Sequence, residues 1–156
     1  MRPRRILVTG GAGFIGSHLV DRLVKEGFYV AVVDNLSTGK KEYVNGSASL
    51  FYVDLAEPSF AEIFEQEKPE VVFHLAAQAS VTRSMENPEE DARTNILGVL
   101  NLLEQCHRYG IARIIYSSTG GALYGEPDSL PCDESHPVRP LSPYGASKYA
   151  AETYIH

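Results

Sequence analysis

Val8-Thr9-Gly10-Gly11-Ala12-Gly13-Phe14-Ile15-Gly16 is the stretch whose reading decides the fold. A short apolar run, Ile6-Leu7-Val8, leads into it. A helical pattern follows, with Ile15, Leu19 and Leu23 at i, i+4 and i+8 and Val20 and Val24 beside them. The order is strand, glycine turn, helix. Glycines at 10, 13 and 16 let the backbone turn tightly and approach a ligand closely. The helix then begins with unsatisfied N–H groups and the positive end of its dipole, which suits a phosphate. The spacing G-x-x-G-x-x-G departs from the usual G-x-G-x-x-G fingerprint of dinucleotide sites. Taken alone, the turn fits a dinucleotide, another phosphate, or no ligand at all.

Outward from that turn, strand and helix alternate. Strands are expected over Arg5–Thr9, Tyr29–Val33 (ending at Asp34), Leu50–Val53 (ending at Asp54), Val71–Leu75 and Arg113–Tyr116. Helices are expected over Phe14–Glu26, Pro58–Lys68 and Pro88–Tyr109, with a last one starting at Pro143 or Tyr144 behind Ser142 as N-cap. Gly27 closes the first helix as a C-cap glycine. Asn35–Ser49, Ala76–Asn87 and the stretch from Ser117 to Ser142 read as loops, the second with room for a helical turn. This alternation predicts an α/β fold: a Rossmann-type doubly wound parallel sheet of about five strands, with helices on both faces. Such folds bind ligands at the carboxyl ends of their strands, where the glycine turn lies. On the Pro88–Tyr109 helix, Ala92, Ile96, Val99, Leu100, Leu103 and Cys106 form a stripe that Leu97 and Leu102 widen. A stripe that wide predicts cover on more than one side, by the sheet and by either a partner subunit or a neighbouring helix.

With 156 residues the chain is expected to form one domain. A net charge of −6 argues against a general nucleic-acid binder. Cys106 and Cys132 lie far apart, with no disulfide or zinc pattern, so a reducing cytoplasm is the expected compartment. The basic start, Met1 to Arg5, precedes an apolar run that glycines break at once, which is not a signal peptide. No apolar stretch reaches the length of a membrane span. His18 and His74 read as packing or surface residues, and Glu86-Asn87-Pro88-Glu89-Glu90-Asp91 as an acidic helix start that complements the dipole.

Asp34 lies 24 residues after Gly10 and 18 after Gly16. An acid there accepts hydrogen bonds from an adenosine ribose and repels a 2′-phosphate, which favours NAD over NADP, although Lys40 and Lys41 follow in the loop. A capping or surface aspartate is the alternative. Asp54-Leu55 either positions an adenine ring or forms a simple turn. Tyr144 and Lys148 sit at i, i+4 and share a helix face. A free tyrosine has a pKa near 10, and a nearby ammonium favours its phenolate, so the pair is a candidate proton-transfer couple. Ser117-Ser118-Thr119 ends the fifth strand 25 residues upstream of Tyr144 and puts hydroxyls at the carboxyl edge.

These pieces together resemble the short-chain dehydrogenase/reductase superfamily, in its extended branch of NAD-dependent sugar-nucleotide epimerases and dehydratases, with the UDP-glucose 4-epimerases the most similar group. The matching segments are Thr9 to Gly16, Asp34-Asn35-Leu36-Ser37-Thr38-Gly39, Asp54-Leu55, His74-Leu75-Ala76-Ala77-Gln78, Thr94-Asn95, Ser117-Ser118-Thr119, and Tyr144 with Lys148. The resemblance implies that Gly10, Gly13, Phe14, Ile15 and Gly16 hold the NAD pyrophosphate. It implies that Asp34, Asn35, Ser37, Thr38 and Gly39 surround the adenosine, that Asp54 and Leu55 flank adenine, and that Leu75, Ala76, Ala77, Gln78, Asn95 and Ser117 line the cofactor. It makes Tyr144 the catalytic base and lets Lys148 hold the nicotinamide ribose and tune Tyr144. Thr119 is left to hydrogen-bond the reacting sugar oxygen, with Ser118 as the substitute.

The implied reaction is epimerisation of a UDP-sugar at C4. Tyr144 takes the 4-hydroxyl proton while C4 gives hydride to NAD, the 4-keto sugar turns over, and the hydride returns to its other face. Members of this group are about twice as long. The resemblance therefore predicts an NAD-binding part over residues 1–156, cut inside the helix of Tyr144 and Lys148 and lacking the C-terminal substrate domain. Two other readings stay open: an NAD(H)-binding half-domain without turnover, and a simple NAD-dependent alcohol or sugar dehydrogenase. The fifth strand would be an exposed edge, and the family's dimer helices correspond to the wide stripe and the last helix. A homodimer or larger homo-oligomer is expected on both grounds. Ala79-Ser80-Val81-Thr82 departs from those 4-epimerases that carry a lysine near the substrate phosphates, which leaves the sugar less defined than the cofactor.

Overall fold

The computed structural model describes residues 4–156, so Met1–Pro3 of the basic start lie outside the described residues. The chain divides into two compact units. The first comprises residues up to Ala77 together with Asn101–Ser117. It contains five parallel strands: β1 (Arg5–Thr9), β2 (Tyr29–Asp34), β3 (Ser49–Tyr52), β4 (Val71–His74) and β5 (Ile114–Tyr116). Their order is β3-β2-β1-β4-β5, with β1 in the centre. Strand order reverses between β1 and β4, so the sheet is doubly wound as the alternation predicts, and β5 is an edge.

The two-residue period of the strands splits the core in two. Ile6, Val8, Val30, Val32 and Val71 point to one face, where Val20 and Leu23 of α1 (Phe14–Lys25) cover them. Leu7, Ala31, Val33 and Val72 point to the other, against Phe60, Ile63 and Phe64 of α2 (Phe60–Glu67) and against Leu102 and Cys106. Each large side chain buried in this way contributes about 1.5–3 kcal/mol. Burial also pushes the Cys106 thiol up to about 12, which leaves it an inert packing group.

The second unit comprises Gln78–Leu100 and Ser118–His156. It holds α3 (Val81–Glu86), α4 (Pro88–Ala92), a π-helical turn at Arg93–Leu97, the start of α5 (Gly98–Arg108), α6 (Gly120–Leu123) and α7 (Pro143–Ile155). Helices α3, α4 and α6 and the π turn all pack on α7.

Most elements fall within two residues of expectation. Three differ. The expected Pro88–Tyr109 helix is two helices joined by the π turn. The helical turn allowed for in Ala76–Asn87 is α3, while the other two expected loops contain a 3-10 turn at Lys41–Tyr43 and α6. The acidic helix start is not uniformly exposed, because Asp91 is fully buried while Glu89 faces solvent. Among the described residues no helix is long and apolar enough to cross a membrane.

Candidate active site

In the first unit the glycine turn is held from every side by backbone. Gly10 N–H donates to the Val33 carbonyl at 2.8 Å, and Gly13 N–H donates to Gly10 O at 3.1 Å. Gly10 has φ +71°, and a Cβ there would lie 2.6 Å from Ala76 N, so the end of β4 leaves room only for glycine. A Cβ on Gly16 would collide with Gly10 O and lie 2.7 Å from Gly11 Cα. Helix α1 thereby starts in contact with the turn itself. Its N-cap, Gly13, offers no side chain, and no acidic residue occupies its first turn, so its leading N–H groups are left to a bound anion. Phe14 and Ile15, at the same end, are 78% and 65% exposed. Apolar side chains displayed there suit the flank of a dinucleotide.

Asp34 ends β2 nearly buried. Its Oδ2 accepts from Ala12 N at 3.0 Å and its Oδ1 from Leu36 N at 2.8 Å. Each carboxylate oxygen retains a second lone pair for a ligand hydroxyl. The loop beyond Asp34 is drawn onto the turn by Lys40 N donating to Ala12 O at 3.0 Å, and Gly39 lies against Ala12. Asn35 Nδ2 donates to Asp54 Oδ2 at 2.9 Å, and Asn35 Oδ1 accepts from Ser37 N at 3.1 Å, so the second and third strand ends are laced together. Leu36 is held at φ 53°, a strained left-handed conformation at the edge of this pocket. Asp54 and Leu55 differ in kind. Asp54 faces Asn35, while the Leu55 side chain packs in the core. Thr9 Oγ1 lies 2.7 Å from His74 Nδ1 and accepts from Ala76 N, which fixes the half-buried Leu75-Ala76-Ala77 strip beside the turn. Ser117 N–H donates to His74 O at 3.0 Å. The glycine cradle, the uncapped helix and the doubly anchored Asp34 fit a dinucleotide.

The second unit gathers Gln78, Asn95, Thr119, Tyr144 and Lys148. Helix α7 starts where expected: Ser142 Oγ accepts from Gly145 N at 3.1 Å, with Pro143 in the first turn. Tyr144 therefore stands in the first turn, half-buried, and Lys148 one turn later on the same face. Lys148 is only 4% exposed. Burial pushes it down to about 8, opposed by the carboxylates of Glu152 and Asp91. Thr119 directly precedes α6 and makes no side-chain cap bond, and the Ser118 hydroxyl is buried without a hydrogen-bond partner. Two hydroxyls of this unit are thus uncommitted.

Asn95 sits in the π turn and is buried. Its Oδ1 accepts from Gln78 N at 2.9 Å. Its Nδ2 lies 2.9 Å from Gln78 O, 3.1 Å from Asp91 Oδ1 and 3.1 Å from Ser147 Oγ. Ser147 Oγ in turn donates to Tyr144 O at 3.0 Å. Asn95 therefore pins the Gln78 backbone to the helix that carries Tyr144. Sequence reading misses Asp91 and Ser147 as members of this web. The available signals are the i, i+4 spacing of Asp91 to Asn95 and the place of Ser147 beside Lys148.

The family model for the NAD dependent epimerase/dehydratase family matches residues 6–156. The chain belongs to that family. A UDP-glucose 4-epimerase of Thermotoga maritima, solved with UDP-glucose, is 51% identical and superposes with a TM-score of 0.94 over 96% of this chain and 49% of its own. The Thermus thermophilus UDP-glucose 4-epimerase, solved with NAD, is also 51% identical, with a TM-score of 0.94 over 97% and 49%. The UDP-glucose 4-epimerase of Mycolicibacterium smegmatis is 42% identical over 97% of this chain and 50% of its own. The chain spans about half the length of the relatives it matches. The α/β fold, the family resemblance and the NAD dependence of the family agree with the sequence reading.

Proposed function

We propose that this chain binds NAD in its first unit and supplies, from its second, the groups that epimerise a UDP-sugar at C4, interconverting UDP-glucose and UDP-galactose. The observation that carries this reading is the pairing of Tyr144 and buried Lys148 on one face of α7, with the uncapped Thr119 hydroxyl in the same unit. Relatives about 50% identical that are named for this activity support it. In the first unit Gly10, Gly13, Phe14, Ile15 and Gly16 would hold the pyrophosphate and Asp34 with Asn35, Ser37, Thr38 and Gly39 the adenosine end, with Ser117 also in that unit; in the second, Tyr144 and Lys148 are the reacting groups and Asn95 their support. When bound, NAD supplies the oxidising and then reducing power at C4. Tyr144 removes the proton from the sugar 4-hydroxyl and later returns one. The Lys148 ammonium favours the phenolate that does so. Thr119 orients the reacting oxygen, with Ser118 as its substitute.

Purified chain incubated with NAD and UDP-galactose is expected to form UDP-glucose, read by a coupled UDP-glucose dehydrogenase. Bound NAD without product selects the half-domain reading. Net accumulation of NADH in a parallel reaction without the coupling enzyme selects the simple dehydrogenase. Failure to bind NAD overturns all three.

A homodimer belongs to the same proposal. Leu97 is 56% exposed on the π turn, beside an open groove of about 610 Å3 lined by Asn87, Glu89, Glu90, Ala92, Arg93, Ile96 and Leu97. Tyr149 and Tyr154 of α7 are exposed in the same unit. Exposed apolar surface of this kind is covered by association. Sedimentation at micromolar concentration is expected to give a dimer, and Leu97→Glu to give monomer; a monomeric parent chain counts against the assembly. Cytoplasmic residence is part of the same reading, supported by two free thiols, Cys106 and Cys132.

A further inference from the structure

Two carboxylates in the second unit act on Lys148 and have no place in the reaction just described. Asp91 is 0% exposed on α4, which packs on α7. Its Oδ1 accepts from Gln78 Nε2 at 2.9 Å and from Asn95 Nδ2 at 3.1 Å. Its Oδ2 is buried with no hydrogen-bond partner. Two neutral amides fix that carboxylate without neutralising it. A cation close to a buried carboxylate offsets the cost of its burial. Glu152 is half-buried on α7, one helical turn beyond Lys148 and on the same face. Both carboxylates favour the charged form of Lys148 against the burial that disfavours it.

The other charged and titratable groups of α7 and of the elements packed on it, Tyr149 and Tyr154 included, are exposed or half-buried. On α7 itself, Tyr144 is one turn before Lys148. Arg83 and Glu86 of α3, Glu89 of α4 and Arg93 of the π turn are exposed. Glu90 of α4 is ion-paired with Arg83. Helix α6 carries no charged residue.

We propose that Asp91 and Glu152 form a two-carboxylate clamp that keeps the Lys148 ammonium charged and fixed beside Tyr144. Both are positioning residues, acting on the reaction through Lys148. The physical argument is that a buried lysine is cheapest as a neutral amine, and a neutral amine loses the field that favours a phenolate. Replacing a buried ion set by apolar groups is often neutral or stabilising. Three ionisable groups meeting around one half-buried helix therefore fit a requirement for charge, and Asn95 sets the clamp in register by holding both Asp91 and Ser147. The proposal rests on the reading of Lys148 as the partner of Tyr144.

The chain has five lysines, at 25, 40, 41, 68 and 148. The 13Cε resonance of Lys148 in 13C-lysine-labelled protein, assigned with Lys148→Arg, reports its charge directly. In the parent chain it is expected to titrate with a midpoint near 8. Asp91→Asn keeps a carbonyl oxygen for the Gln78 and Asn95 donors and removes the charge. It is expected to lower the midpoint by about one pH unit, the size expected for an opposite charge at short range. Glu152→Gln is expected to lower it as well, and the double variant more than either. Exposed Glu89→Gln leaves it in place. Midpoints unchanged in Asp91→Asn and Glu152→Gln, or lowered equally by Glu89→Gln, overturn the clamp. Should Asp91→Asn not fold, Glu152→Gln at the far end of α7 decides alone. The readout needs neither cofactor nor turnover, so the clamp and the epimerase reading fail separately.

Discussion

Gly16→Ala is expected to unfold the glycine turn and take NAD binding with it. Gly16 is the third residue of α1 and is buried. An added Cβ would collide with the carbonyl oxygen of Gly10 and sit 2.7 Å from Gly11 Cα and 2.9 Å from Gly10 C. All three are backbone atoms of the link between the central strand and its helix, so no rotamer change relieves the clash. Relief requires α1 to lift away from β1, which breaks its contact with Ile6 and Val8 through Val20 and Leu23. Overpacking of ordinary core sites costs about 1–3 kcal/mol. A backbone-on-backbone clash falls at or above the top of that range, a large part of the 5–15 kcal/mol that a domain has in total. Gly27→Ala is the internal control. It imposes a left-handed alanine at φ +82° in open space and is expected to cost about 1–2 kcal/mol. Urea unfolding followed by circular dichroism separates the two. Equal midpoints for both variants would remove the close approach of helix and turn as the basis of the site.

What the sequence makes legible follows from which interactions have a period. The strands are short apolar runs bounded by turn residues, and all five appear within two residues of expectation: in β1, β2 and β4 burial on both faces writes itself into composition, while the half-buried edges β3 and β5 are legible from their apolar runs and flanking turns. Gly16 is legible because it is imposed by Gly10 and Gly11 a few residues away, whereas Gly10 is imposed by Leu75 and Ala76 at the end of β4, which the local spacing does not show. The π turn is not legible. Apolar residues continue through Ile96, Val99 and Leu103 with no break in the sequence at Arg93–Leu97, yet in the structure Leu97 is exposed and Leu102 buried around that widened turn. Asp91 is hidden differently. It stands in an acidic run whose other members are a helix start, and only the amides of Gln78 and Asn95, 13 residues before it and 4 after, separate it from Glu89 and Glu90. Polar networks carry no periodic signal. Leu55 marks the same limit, since a pair of adjacent residues at a strand end gives no sign that one faces the pocket edge and the other the core.

Tyr144→Phe is expected to lower UDP-galactose turnover by about 100- to 10,000-fold, the range for loss of a general acid–base group, while NAD binding is unchanged. The phenyl ring fills the same space at the first turn of α7, and the Ser142 cap and the Ser147 bond to the backbone of residue 144 do not involve the hydroxyl. The pH profile strengthens the test. Lys148 is pushed down to about 8 by burial, so its positive charge is present below that pH and fades above it. The charge has a stability consequence of opposite sign. Because the folded value lies below the ordinary 10.5, the unfolded chain binds more protons between about 8 and 10.5, and stability from this group rises with pH across that window. At neutral pH the charged lysine therefore costs about 3 kcal/mol relative to the same group in water. A fold that retains such a cost has the positive charge where the proposed proton transfer needs it. Turnover in the parent chain is expected to decline above pH 8 over the same range in which urea unfolding shows rising stability. Residual turnover in Tyr144→Phe is expected to lose the dependence on the tyrosine and keep no such optimum. Full activity in Tyr144→Phe, or a parent profile still climbing at pH 9.5, would exclude the Tyr144–Lys148 couple as the proton-transfer device.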